Sequence, residues 1–283
     1  MDVFGTDRAT LGESPLWHRG EGRFYWVDIV GERVFRLIDG VPEVVHTGLM
    51  VTALSERADG GLVMVSGDGL LTWTEGEVTE LTGLDLPREV RPNDGKCDPE
   101  GRLWFGTMDL ETTNPIGGLF TYDRHSVRLV ESGIVLSNGL GWSPDGDVFY
   151  HTDSIRRHIY RYDYDLGSGS ATNRTLLVDF GDVVEAPDGH AVDVDGNLWV
   201  AMYDGWRLQV ISPTGETVHI EPLDVQKPTS VAFAGDGLAQ LYVTTASQDL
   251  DPEELERQPH AGRLLHFDPG TRGLPIGRFV PAQ

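Results

Sequence analysis

The sequence reads as an all-β chain, a six-bladed β-propeller formed by residues 1–283 as one domain. Three observations carry this reading. A weak unit recurs six times, each copy holding an apolar strand, a polar turn ending in glycine, and a second strand rich in aromatic or β-branched residues. The turn glycines Gly22, Gly60, Gly101, Gly146, Gly196 and Gly237 stand 38 to 50 residues apart, room for four short strands and so for one blade. Helical periodicity is nearly absent.

The first copy runs from Ser14-Pro15-Leu16-Trp17 through Gly22 to Phe24-Tyr25-Trp26-Val27. The second passes Ala53-Leu54, Asp59-Gly60 and Leu62-Val63-Met64-Val65, and the third Asp98-Pro99-Glu100-Gly101 and Leu103-Trp104-Phe105. Copy four holds Trp142-Ser143-Pro144-Asp145-Gly146 and Val148-Phe149-Tyr150; copy five holds Val192 through Gly196 and Leu198-Trp199-Val200. The sixth spans Val231-Ala232-Phe233, Asp236-Gly237 and Leu241-Tyr242-Val243. Asp-Gly turns supply the positive φ that tight hairpins require. Third strands are expected at Arg33–Leu37, Leu119–Tyr122, His158–Tyr162, Leu208–Ile211 and Arg263–Phe267, and Gly167-Ser168-Gly169-Ser170 reads as a hairpin tip. One short helix is expected over Asp251–Arg257, with Asp251 as its cap and Pro252 in the first turn. A ring must close, so residues 1 to 10 are expected to pair with the last blade and remove the open edges. No Pro/Ser-rich linker interrupts the repeat, which disfavours a two-domain division.

Composition narrows the partners. A formal net charge of −23 repels nucleic-acid phosphates and anionic lipids, leaving neither as a partner; most of it reads as a solvated surface. No apolar run approaches the roughly 20 residues of a membrane span, and the N-terminus lacks the basic start and apolar stretch of a secretion signal. The expected compartment is therefore the cytoplasm, with no obligate protein partner. The single cysteine, Cys97, cannot form an intrachain disulfide and reads as a small buried hydrophobe.

Chemistry concentrates at one register. Eight residues before the turn glycine, at the point taken as just ahead of each blade's first strand, stand Thr52, Asn93, Asn138, Asp188 and Thr229, with Glu13 nine residues ahead in the first copy. First strands of propeller blades line the central channel, so these positions converge on one ring. Glu13, Asn93, Asn138 and Asp188 offer only oxygen donors, two of them carboxylates, a set suited to Ca²⁺, Mn²⁺ or Mg²⁺. Any one Asn or Asp alone reads more simply as an Asx-turn residue; Glu13, a poor turn former, at the matching place favours the shared site. The nine histidines show no paired metal-binding spacing. His190, next to the ring, reads as packing or rim, with substrate contact as the sharper alternative. No Gly-x-Ser-x-Gly elbow or phosphate-cradling loop is present, so water is left as the nucleophile.

At these residues the chain resembles the SMP-30/gluconolactonase/regucalcin family over nearly its whole length. The resemblance is carried by Leu11-Gly12-Glu13-Ser14-Pro15-Leu16-Trp17, Arg91-Pro92-Asn93-Asp94-Gly95-Lys96, Asp98-Pro99-Glu100-Gly101-Arg102, Gly106-Thr107-Met108, Ser137-Asn138-Gly139-Leu140, Pro187-Asp188-Gly189, and Asp251-Pro252-Glu253 with Arg257-Gln258-Pro259. It implies a metal-dependent lactonase opening a small sugar-acid lactone. One divalent ion, Ca²⁺ first and Mn²⁺, Mg²⁺, Zn²⁺ or Fe²⁺ as alternatives, would sit on Glu13, Asn138 and Asp188. Arg91, Asn93 and Glu111 would contact substrate, with His190 a departure from the family pattern at the same place. The segment holding Glu111 is shorter here than in animal members. Asp188 is the expected general base and Asp153 a residue that orients the ligands. Hydrolysis of a phosphotriester or a non-sugar lactone, and a non-catalytic Ca²⁺-binding propeller, are the competing readings.

Overall fold

Residues 1–281, which the computed structural model describes, contain six four-stranded antiparallel sheets. Their innermost strands are Gly12–His18, Val51–Glu56, Val90–Cys97, Ser137–Trp142, Ala186–Val192 and Pro228–Ala234. Each packs against the next and the last against the first, so the sheets are the blades of a closed six-bladed propeller. Asp2–Phe4 supplies the outermost strand of the sixth blade, pairing Val3 with Leu265. The helix forms over Pro252–Arg257, with reciprocal capping between Asp251 and Glu254.

Side-chain alternation explains the unbroken apolar runs of the second strands. Successive residues of a strand face opposite sides of its sheet, and in a propeller both sides meet a neighbouring blade. Phe24 and Trp26 pack towards blade six, whereas Tyr25 and Val27 pack towards blade two. Leu103 and Phe105 likewise join blade two, and Trp104 between them joins blade four. Six apolar clusters result, one at each junction between blades. Each fully buried large side chain contributes roughly 1.5–3 kcal/mol. Cys97 belongs to the cluster between blades two and three, in the role of a small hydrophobe.

Beyond the last blade the chain crosses the lower mouth of the channel. Gly273 bridges Asp193 of blade five, Phe279 pairs beside Arg57 of blade two, and the Val280 N–H donates to the Gly101 carbonyl of blade three. Arg19 of blade one donates to the Ile276 carbonyl. This strap therefore touches blades on opposite sides of the ring.

Candidate metal and substrate site

The six ring residues lie inside the inner strands, not ahead of them as the sequence spacing suggests. Each inner strand carries a register shift at that residue, between Glu13 and Leu16, Val51 and Ala53, Pro92 and Gly95, Asn138 and Leu140, Pro187 and His190, and Pro228 and Ser230. A bulge leaves an unpaired residue and re-aims its neighbours, so pairing resumes above the place where the sequence pattern begins. At Gly139 the bulge demands glycine: its φ is 37°, and a Cβ would come within 2.3 Å of His190 Nδ1 and 2.5 Å of Thr152 Oγ1.

Glu13, Arg91, Asn93, Asn138 and Asp188 line one cavity of about 250 Å³ at the upper mouth, with Leu11, Met108, Thr112, Ser154, Ile155, Tyr203 and Gln248 among the other walls. The two remaining ring residues turn away. Thr52 Oγ1 donates to the Val65 carbonyl, and Thr229 Oγ1 donates to the Gly12 carbonyl and bonds Thr244 Oγ1.

A chain of hydrogen bonds fixes which way the amides point. Arg91 Nη1, which can only donate, reaches Asn93 Oδ1 at 3.0 Å, so the Asn93 amide nitrogen faces onward. That nitrogen donates to Asn138 Oδ1 at 2.7 Å, and Asn138 Nδ2 donates to Ser154 Oγ at 2.9 Å. Asn138 consequently presents its oxygen, not its nitrogen, to the side bearing Asn93.

The electrostatics favour a cation. Burial and then the charges of Asp188 and Asp94 hold the Glu13 carboxyl well above the usual range, against weaker relief from the Ser14 N–H and Arg91. Asp188 is raised by burial and then Asp94, with relief from the Gly189 N–H and Asn138. Two adjacent carboxylates, Asp188 buried and Glu13 half-buried, are costly without a counter-charge. Asp188 Oδ1 is buried and finds no hydrogen-bond partner among the described residues. Carboxylate and amide oxygens together with that orphaned atom fit a hard divalent cation held by Glu13, Asn138 and Asp188. Among the described residues no group of three Asp, Glu, His or Cys side chains forms a metal cage, which sets this donor set apart from an imidazole or thiolate zinc site.

Three expectations require adjustment. His190 does not line the cavity: it is fully buried, its Nδ1 is 3.3 Å from Thr152 Oγ1, and it packs on Gly139 and Gly141. The bulge at Asp188 and Gly189 places it below the ring, between blades four and five. Glu111 is exposed on the turn after Leu103–Asp109, and the neighbouring Thr112 takes the place on the wall. Asp153 holds Arg156 at 2.8 Å and touches no ring residue; Ser154 orients Asn138 in its stead. Asp153 belongs to a second register, the end of the second strand, shared with Asp28 and Asp109. Asp28 accepts the N–H groups of Thr10, Leu11 and Gly31, and Asp109 those of Glu111, Thr113 and Asn114. These aspartates shape the loops of the upper rim. Ser154, Tyr203 and Gln248, which the ring register does not reveal, come from this second set of strand ends and the loops after them.

A six-bladed propeller with an oxygen-donor cluster at one channel mouth is the class of molecule that fold and site define. Residues 11–247 match the family described as SMP-30/Gluconolactonase/LRE-like region, and the chain belongs to that family. Regucalcin of Gallus gallus is 36% identical, the match covering 99% of this chain and 98% of the relative. A structure of a calcium-binding protein, regucalcin, from Agrobacterium tumefaciens superposes with a TM-score of 0.89 at 26% identity, covering 99% of this chain and 95% of that one. A luciferin-regenerating enzyme superposes with a TM-score of 0.86 at 29% identity, covering 96% of each chain. Among the described residues no helix is long and apolar enough to cross a membrane.

Proposed function

We propose that this protein is a metal-dependent lactonase that hydrolyses a small sugar-acid lactone at the upper mouth of its channel. The observation that carries the reading is the meeting of half-buried Glu13, buried Asp188 and Asn138, whose oxygen is held by Asn93, in one ligand-sized cavity. A divalent ion bound there, Ca²⁺ in the first instance, supplies Lewis-acid polarisation of the lactone carbonyl.

The chain's own residues do the rest. Arg91 spends Nη1 on Asn93 and the Pro92 carbonyl, leaving its other nitrogens to bind sugar hydroxyls and steady the developing negative charge. Asn93, fixed between Arg91 and Asn138, keeps the substrate end of the cavity in register with the carboxylates. Asp188, kept ionised where a cation offsets its acidic neighbours, takes the proton of the attacking water. The apolar surfaces of Leu11, Met108 and Ile155 exclude bulk solvent from the ring. Glu111, exposed beside Thr112, would touch a substrate only above the rim. The proposed compartment is the cytoplasm, where a lone thiol such as Cys97 stays reduced.

The test is a pH-indicator assay over pentono-, hexono- and aldarolactones with metal-stripped protein, each divalent ion being added back in turn. Cation-dependent opening of at least one aldonolactone is expected. Opening of every lactone at its spontaneous rate, with cation still bound, would leave a cation-binding propeller and refute the enzyme.

A further inference from the structure

The chain carries only two lysines, Lys96 and Lys227, and Lys227 is 6% exposed, directly behind the cavity wall. Its Nζ lies 5.0 Å from the centroid of the Tyr203 ring and donates to the Gln248 carbonyl at 3.0 Å. Tyr203 and Gln248 both line the cavity. They come from different blades, Tyr203 from the end of the second strand of blade five and Gln248 from the loop after the second strand of blade six. One ammonium therefore ties two parts of the wall together.

The surroundings over-determine this arrangement. Asp204 and Trp206, flanking Gly205 in the turn after Tyr203, hold positive φ of 63° and 56°, conformations that non-glycine residues adopt at a cost. Gln226 Nε2 grips Asp204 Oδ1 at 3.0 Å, and the Trp206 N–H donates to the Gln226 carbonyl. Gln226 is itself paired through its N–H with Oε1 of buried Gln258 at 2.7 Å, just beyond the helix. Asp204 Oδ1 stands 3.8 Å from Lys227 Nζ. Strain maintained by a dedicated polar network at a cavity wall points to a side chain whose placement matters. Tyr203 shares the cavity with Glu13, Arg91 and Asp188, and so stands where a ligand would be met.

We infer that the Tyr203 hydroxyl donates a hydrogen bond to an oxygen of the bound lactone, and that Lys227 is the positioning residue that holds Tyr203 and Gln248 against the substrate. The inference rests on the lactonase reading above. It is tested by steady-state kinetics and cation titration of the full-length protein with Tyr203→Phe, Lys227→Met, Lys227→Arg and the Tyr203→Phe/Lys227→Met pair. Tyr203→Phe should raise KM about tenfold, the loss of one hydrogen bond. It should leave cation affinity and melting temperature near wild type. Lys227→Met should raise KM by a similar factor, the double variant should be little worse than either single one, and Lys227→Arg should restore KM to within about threefold because it keeps the cation over the ring. Unchanged KM in Tyr203→Phe, multiplicative effects in the double variant, or no rescue by arginine overturns this inference alone. Should Lys227→Met fail to fold, Tyr203→Phe and Lys227→Arg still decide the matter. Wild-type protein that opens no lactone overturns both proposals.

Discussion

Replacing Asp188 by asparagine separates the electrostatic account of the site from a purely steric one, because it keeps the shape and deletes one buried charge. In metal-stripped protein at pH 8, Asp188 sits beside Glu13 and Asp94 with Oδ1 unpaired. An unpaired buried polar group costs about 1–3 kcal/mol and more when charged; the amide keeps the acceptor but removes the charge, and the variant also relieves repulsion on Glu13. The stripped Asn variant should therefore be more stable than wild type by an amount of that order. At ~2 °C per kcal/mol for a chain of this size, its melting temperature should rise by roughly 2–6 °C. The cation should act in the opposite sense. At a hundredfold excess over its dissociation constant it stabilises by about 2.7 kcal/mol, or ~5 °C for wild type. The variant, lacking one of two anionic donors, should gain less than ~1 °C at the same concentration. Lactone turnover should fall by roughly 10²- to 10⁴-fold. Differential scanning fluorimetry with and without cation, followed by the indicator assay, reads all three effects. A stripped variant that melts below wild type, or one that keeps the full cation response, would falsify the claim that Asp188 is an uncompensated charge awaiting an ion.

Other outcomes follow from the same geometry. Because the folded state raises the Glu13 carboxyl above its unfolded value, the stability this group contributes is complete below about pH 4.5 and is lost as pH rises through the folded value. Stripped wild type should thus lose stability from pH 5 to pH 8 more steeply than Glu13→Gln, and saturating cation should abolish the difference; equal slopes in thermal melts across that range would contradict the assignment. Ser154→Ala frees the Asn138 amide, and isothermal titration should show cation affinity weakened by about 10- to 100-fold. Gly139→Ala forces a Cβ against His190 and Thr152 at a positive φ, and denaturant unfolding should record a loss of at least about 2 kcal/mol, whereas a neutral result would mean that the bulge can relax.

The architecture was legible because a propeller repeats its demands. Gly22, Gly60 and their counterparts mark hairpin turns whatever the sequence between them, and runs such as Leu103-Trp104-Phe105 stay apolar because both faces of the strand are covered. The shared register of Glu13, Asn138 and Asp188 was visible for the same reason. The bulges were not, since a register shift depends on pairing with a neighbouring strand and leaves no fixed signature in either one. This is why His190, two residues from Asp188, reads as packing, rim or substrate contact, whereas it lies fully buried between blades. Glu111, Ser154 and Gln248 occupy loops of unequal length, where counting from a turn glycine loses its meaning.

The strap from Gly273 to Val280 has a bearing on what can reach the ring. Ile276 lies against the channel interior beside Asp94 and Lys96, and also against the apolar hollow beneath it. The disc is thereby a cup instead of a pipe. With the strap across the lower face, the natural approach to the ring is from the upper mouth, and a compact guest suits a cavity of about 250 Å³ better than an extended one.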